Sequence, residues 1–192
     1  MDKLATLIFK LRGFTPVPLA LFILWQADSA WPYWLVGIGL MLAGELIRLT
    51  ALRASGKATR TRNVGAKRLV TWGLYAYTRN PLYIGNFLLW LGATIFAYGP
   101  YFKEILLILL VLFFIQYTLI IYLEEKTLAE LFGEEYDLYC QKVPRLFPTL
   151  SPTGSKGEKL HSWWYAFQSE QSSLVAFLVV ILGALVSTYM KQ

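Results

Sequence analysis

The sequence has one cysteine, Cys140, and one histidine, His161. A lone cysteine makes no intramolecular disulfide and no cysteine metal cluster. One cysteine and one histidine cannot assemble a zinc site by themselves, so no metal is expected. Charge is scarce too. Asp, Glu, Lys and Arg make up 16% of the 192 residues, where a soluble domain carries about a quarter. With 56% hydrophobic residues and a mean hydropathy of +0.48, this excludes an ordinary soluble domain. No G-x-G-x-x-G fingerprint follows a strand pattern, which argues against a Rossmann-type nucleotide domain.

What is present in quantity is long apolar runs. Residues 105–123, "ILLILLVLFFIQYTLIIYL", are 19 residues without a charge, about 28 Å as a helix and close to the hydrocarbon thickness of a bilayer. Residues 82–98 and 174–190 are also free of charge, and 31–49 carries Glu45 and Arg48 toward one end. Residues 14–27 are short and hold Pro16 and Pro18. Their basic flank and the "ADS" at 27–29 would also suit a signal peptide. A second apolar run begins at once, however, so a helical hairpin is the reading adopted. The expected fold is all-α: one membrane-embedded bundle over 1–192 with about five transmembrane helices and a cytoplasmic amphipathic helix. Its motif core is 69–148, and 149–192 supplies a linker and an extra carboxyl-terminal helix.

Acidic residues are missing from the segment between the second and third runs, which carries Arg53, Lys57, Arg60, Arg62, Lys67, Arg68 and Arg79. Lys3, Lys10 and Arg12 add positive charge near the amino terminus. The positive-inside rule places both in the cytoplasm, and five crossings then put the carboxyl terminus outside. Basic side chains here can also hold anionic lipid head groups, at about 1 kcal/mol each. The net charge of +6 comes mainly from membrane flanks, so nucleic acid is not an expected partner.

Two cytoplasmic stretches carry the chemistry. "YTRNPLYIG" (77–85) sets Arg79, Asn80, Pro81 and Tyr83 at the start of an apolar run, behind Gly73 and Tyr75. "EEKTLAELFGEEYDLYCQKVPRLFP" (124–148) opens with Glu124 and Glu125, continues with Tyr136 and Tyr139 at helical spacing and a break at Gly133, and closes on Arg145 between two prolines. Charges beside the bilayer are costly unless paired, hydrated or used. One reading is an ion-pair collar in which Arg79 and Arg145 neutralise Glu124 and Glu125. The pairing is equally compatible with a bound cofactor that completes the network.

Taken together, "LVTWGLYAYTRNPLYIGN" and "EEKTLAELFGEEYDLYCQKVPRLFP" resemble the isoprenylcysteine carboxyl methyltransferase and phospholipid methyltransferase superfamily of integral membrane enzymes. The resemblance rests on a Gly-x-Tyr turn, an arginine–proline elbow, a Glu-Glu pair and a closing Pro-Arg-x-x-Pro stretch, in that order. It implies an S-adenosylmethionine-dependent methyltransferase, with Arg79, Glu125 and Arg145 as catalytic residues. It also implies a cofactor site of Gly73, Tyr75, Arg79, Asn80, Pro81, Tyr83, Glu124, Glu125, Tyr136 and Tyr139. The guanidinium fork suits a carboxylate, and the glutamates suit an ammonium or ribose hydroxyls. Asn80 stands where the commonest form of the motif has histidine, so proton transfer by that residue does not carry over, while hydrogen bonding does.

The implied acceptor is a membrane lipid or a lipidated substrate, entering sideways past Gly85 and Gly92 from the leaflet. The expected location is the inner membrane of a bacterial or archaeal cell, with the site facing the cytoplasm. The alternatives are a small-thiol methyltransferase, a nicotinamide-dependent membrane reductase and a non-enzymatic scaffold. Topology is directly testable: single cysteines at Ser55 and Ser155, in a Cys140→Ser background, are expected to stay shielded from an impermeant thiol reagent in intact cells. Labelling at either from outside would overturn a shared cytoplasmic face.

Overall fold

The computed structural model describes residues 2–56, 68–154 and 160–191. Among these the chain is all-helical: α1 (Asp2–Leu11), α2 (Val17–Gln26), α3 (Tyr33–Ser55), α4 (Pro81–Phe96), α5 (Phe102–Phe132), α6 (Glu134–Lys142) and α7 (Trp163–Tyr189), with a 3₁₀ turn at Gly73–Ala76. α3, α5 and α7 are each long and apolar enough to cross a membrane. The 31 residues of α5 reach about 46 Å, well beyond a hydrocarbon core of about 30 Å. Glu124 and Glu125 therefore stay on the same helix as the apolar run before them. Gly133, at φ +50°, ends α5 in a backbone conformation that favours glycine, and the amphipathic segment breaks there into α6, as the sequence pattern predicts.

The run at 14–27 departs from expectation. Its helix covers only Val17–Gln26, about 15 Å, with Pro16 at its N-cap and Pro18 in its first turn, where a missing N–H costs no helical bond. α4 is also short, at 16 residues.

The tightest joint in the bundle is between α3 and α4. Both carry glycines seven residues apart, two helical turns, so each pair lies on one stripe. A Cβ on Gly44 would come within 2.7 Å of the Gly85 carbonyl, and one on Gly37 within 2.7 Å of the Gly92 carbonyl. The reciprocal contacts are as close: 2.8 Å from Gly85 to the Gly44 carbonyl and 2.7 Å from Gly92 to that of Gly37. In lipid, where hydrophobic burial between helices offers little, close packing of small residues is what holds helices together. Gly85 and Gly92 thus lie in a helix seam, so bulk added there tests packing before it tests any path for an acceptor.

One end of the bundle is stitched by Gln26, which is buried at the end of α2. Its Nε2 donates to the Ala97 carbonyl at 2.7 Å, and its Oε1 accepts from the Tyr101 N–H at 3.2 Å. Leu19, Ile23, Met41, Leu89, Phe96 and Ile105 form the core between these elements. On the opposite side, the His161 N–H donates to the Arg53 carbonyl at 2.7 Å, and Arg53 lies over the Trp163 ring at 4.1 Å. His161 stacks on Tyr165, 4.4 Å between ring centres. Of the basic segment, Lys57, Arg60, Arg62 and Lys67 lie outside the described residues, as does Ser155. Ser55 is only 2% exposed, so a cysteine there would be shielded whichever way the protein faces; exposed Glu134 is the better position for the topology test.

The seam makes a direct prediction. Gly44→Leu or Gly92→Val should destabilise the fold by at least about 1–3 kcal/mol through overpacking. Gly39→Ala, where a Cβ meets nothing within 4 Å, should change stability little. Thermal unfolding in one detergent decides it, and similar melting temperatures for all three variants would mean the helices do not meet at their backbones.

Candidate functional site

The elbow before α4 is held by the segment that follows α6. The Arg79 N–H donates to the Pro144 carbonyl at 2.9 Å, and the N–H groups of Thr149 and Thr153 donate to the carbonyls of Tyr77 and Ala76 at 3.0 and 2.9 Å. Thr78 Oγ1 donates to the carbonyls of Arg145 and Leu146 at 3.3 and 3.1 Å, and Asn80 Nδ2 donates to that of Arg145 at 3.0 Å. Two irregular strands of chain, which would otherwise bury unpaired polar backbone, satisfy each other. α6 is fixed to the same elbow by Tyr139, whose hydroxyl donates to the Tyr75 carbonyl at 2.8 Å. This explains much of "TRNP": Thr78 and Asn80 tie the elbow, and Pro81 opens α4 where a missing N–H costs nothing.

That clamp aims two arginines at one carboxylate. Arg79 Nη2 lies 3.1 Å from Glu125 Oε1, and Arg145 Nη2 donates to Glu125 Oε2 at 2.5 Å. Arg79 and Glu125 are each 12% exposed, whereas Arg145 is 58% exposed, so the first pair is the more sheltered. The hydrogen bond to Glu125 holds the Arg145 guanidinium above its usual range. The Arg79–Glu125 contact is an ion pair without hydrogen-bond alignment: Arg79 Nε and Glu125 Oε1 are buried with no hydrogen-bond partner. The Tyr136 hydroxyl, beside the Cys140 thiol, likewise forms no well-made hydrogen bond. Burial pushes the phenols of Tyr75, Tyr136 and Tyr139 well above the ordinary range, so all three remain protonated donors.

Glu124 points elsewhere. It takes a hydrogen bond from the Tyr83 hydroxyl and faces the charge of Arg12. Tyr83 meets Tyr117 edge to face, at 4.8 Å between ring centres. Behind them lies a polar chain inside the helix bundle. Asn86 Nδ2 donates to Tyr117 Oη at 3.1 Å, and Arg48 Nη1 donates to Asn86 Oδ1. Arg48 Nη2 also donates to both carboxylate oxygens of Glu170, at 2.9 and 2.8 Å. Beside Tyr117 a narrow crevice opens between α2, α4 and α5, lined by Leu19, Trp90, Leu109, Leu112 and Phe113 with Thr15 and Gln116 at its polar end.

The structure therefore brings together Arg79, Glu125 and Arg145, with Tyr136 alongside, and separately Tyr83 with Glu124. A collar spread over both glutamates is not what forms: both arginines converge on Glu125. Asn80 and Tyr139 act on the elbow's backbone. Gly73, at φ +63°, turns the chain against α3, where a Cβ would lie 3.0 Å from that of Ala54. The Tyr75 ring packs with Ala51, Ala54 and Trp72, while its hydroxyl turns toward Ser55, Glu124 and Arg48. Sequence reasoning missed Arg12, Asn86, Tyr117 and Glu170 as site-related residues. Arg48 inside an apolar run was the available signal for the Arg48–Glu170 pair, since a charge there needs a partner in lipid, but Glu170 lies in the polar stretch before the 174–190 run.

Fold and site define a polytopic helical membrane protein with a cluster of charged side chains at one end of its bundle. The chain belongs to the phospholipid methyltransferase family, whose model matches residues 33–135, more than half its length. It is similar to protein-S-isoprenylcysteine O-methyltransferase of Schizosaccharomyces pombe, 32% identical over 118 residues, covering 59% of this chain and 48% of the relative. The enzyme of the same name from Tribolium castaneum is 32% identical over 117 residues, 58% of this chain and 41% of the relative. Protein-S-isoprenylcysteine O-methyltransferase B of Arabidopsis thaliana is 31% identical over 123 residues, 60% of each. The chain thus spans about half the length of the curated relatives it matches. No solved structure matches it.

The unequal shelter of the two arginines is testable. Arg79→Ala should cost about 1–3 kcal/mol, because it leaves a mostly buried carboxylate short of a partner. Arg145→Ala should cost less than about 1 kcal/mol, as for an exposed ion pair. Denaturation of the purified variants measures both, and equal losses would contradict the described difference in burial.

Proposed function

We propose that this protein transfers a methyl group from S-adenosylmethionine to a lipid-like, isoprenoid-bearing acceptor at the cytoplasmic face of its membrane. The observation that carries the reading is the Arg79–Glu125–Arg145 cluster, clamped between the elbow of α4 and the segment after α6 in a chain of this family. The residues present fit the cofactor. Arg79 Nε, Glu125 Oε1 and the Tyr136 hydroxyl are buried polar atoms without a well-made hydrogen bond around one cluster. Arginine there suits a carboxylate, Glu125 an ammonium, and the neighbouring phenols supply donors and aromatic surface. S-adenosylmethionine supplies an activated methyl on a sulfonium, whose departure leaves a neutral thioether.

Such a displacement needs alignment more than a strong base, and orientation contributes roughly 7–11 kcal/mol to lowering a barrier of this kind. Glu125, held from two sides, orients what it binds. Asn80 takes no part in proton transfer, because its amide does not titrate and its Nδ2 is engaged by the Arg145 carbonyl. The names of the relatives favour an isoprenylated acceptor. The acceptor's apolar tail enters from the bilayer in this reading, each buried methylene adding about 0.8 kcal/mol.

Two measurements test this. Glu125→Ala should weaken binding of S-adenosylmethionine by about 2–5 kcal/mol, the cost of removing one partner of a buried charge contact, while Glu134→Ala should leave it nearly unchanged. Across acceptors sharing one head group, catalytic efficiency in nanodiscs should rise with apolar chain length. A short, water-soluble thiol that performs as well as the longest acceptor would make a small-thiol methyltransferase the better reading.

A further inference from the structure

The matched family region ends at residue 135, and α7 lies wholly beyond it. Yet α7 places Glu170, with no exposed surface, against Arg48 of α3. Arg48 is seven residues from the carboxyl-terminal end of α3 and Glu170 seven from the amino-terminal end of α7, ends that meet at the Arg53–His161 hydrogen bond, so the pair sits about 10 Å inside the bundle. An ion pair at that depth is expensive, and replacing both partners by apolar residues would often leave a helix joint as stable or more so. The position of this one suggests a use other than holding α7 in place.

Arg48 crosses α4 directly over Gly85, where a Cβ would lie 2.5 Å from its Cγ. Beyond that point the hydrogen bonds can run in only one direction. Arginine only donates, so Asn86 must turn Oδ1 toward it. The Asn86 amide is then forced to present Nδ2 to Tyr117, whose oxygen accepts. The Tyr117 proton is left free to point away from Asn86, and its ring rests edge to face on Tyr83, the residue that donates to Glu124. Arg48 Nη2 donates to both carboxylate oxygens of Glu170, while Nη1 serves Asn86.

We propose that Glu170 of α7 is a positioning residue for the candidate site, acting through Arg48 and Asn86 to set the orientation of Tyr117 and Tyr83 at Glu124. The catalytic half of this inference rests on the methyltransferase reading above; the positioning half has its own readout.

The test uses the full-length protein in nanodiscs, with 3-fluorotyrosine incorporated and the Tyr117 and Tyr83 resonances assigned through their phenylalanine variants. Glu170→Gln keeps the side chain's size and removes its charge. Asn86→Asp still accepts from Arg48 but cannot donate to Tyr117, so it reverses one link without replacing either residue of the α3–α7 pair. Both variants should shift the two resonances. Both should also lower kcat at least about tenfold, the scale expected of a misoriented reacting group, while KM for S-adenosylmethionine stays within about twofold. Unmoved resonances overturn the proposal, and so does a kcat that falls only with the folded fraction. If Glu170→Gln does not fold, Asn86→Asp decides by the same criteria. If the wild-type protein methylates no acceptor, the functional reading fails, and the resonance shifts alone decide whether Glu170 positions the two tyrosines.

Discussion

The rest of the structure depends on how closely α3 and α4 approach. At Gly37–Gly92 and Gly44–Gly85 the two backbones meet without side chains between them, the form of packing that lipid rewards. This closeness does more than join two helices. It brings Arg48 across the face of α4 to Asn86, a reach that a side chain at position 85 would block. It also sets α4, and with it the Arg79 elbow, at a fixed height against α3. Intramembrane charge and membrane-face charge are in this way both registered by one row of glycines.

The adjacent glutamates show how a helix separates two tasks. Neighbouring residues on an α-helix point about 100° apart, so Glu124 and Glu125 cannot face the same partners. Glu125 turns to the two arginines of the clamp, and Glu124 turns inward to Tyr83 and Arg12. The outer carboxylate is therefore held by cations from two chain segments. The inner one is held by a neutral phenol and a single charge, which leaves it in a different electrostatic setting on the same turn.

Much of this was legible in the sequence, because lipid imposes strong patterns. Apolar runs announced the long helices, Gly133 marked the break before α6, and "TRNP", "EE" and "PRLFP" identified the segments that meet. The roles within those segments were harder to read. Asn80 looks like a cofactor ligand in a motif but is engaged in backbone hydrogen bonding, and Gly73 satisfies a positive φ next to Ala54. Arg12, Asn86 and Tyr117 escaped notice because nothing local distinguishes a membrane asparagine that relays a hydrogen bond from one that caps a helix. Their meaning lies in which helix faces which, and hydropathy and spacing do not encode that. The 14–27 run reads in the sequence as short and proline-bearing, and its helix is indeed only ten residues long.

The clamp at the elbow also constrains the order in which the protein can be made. Its two arms, Ala76–Asn80 and Pro144–Thr153, are separated by α4, α5 and α6. No local segment can stand in for either arm, since each satisfies the other's backbone groups. During synthesis the chain must insert a hairpin of two apolar helices and then deliver the stretch after α6 before Arg79 and Arg145 can meet at Glu125. The ribosome has by then passed residue 153, while most of α7 is still to come. Glu170 arrives last, so Arg48 waits in the bilayer for its counter-charge until the final helix has been translated.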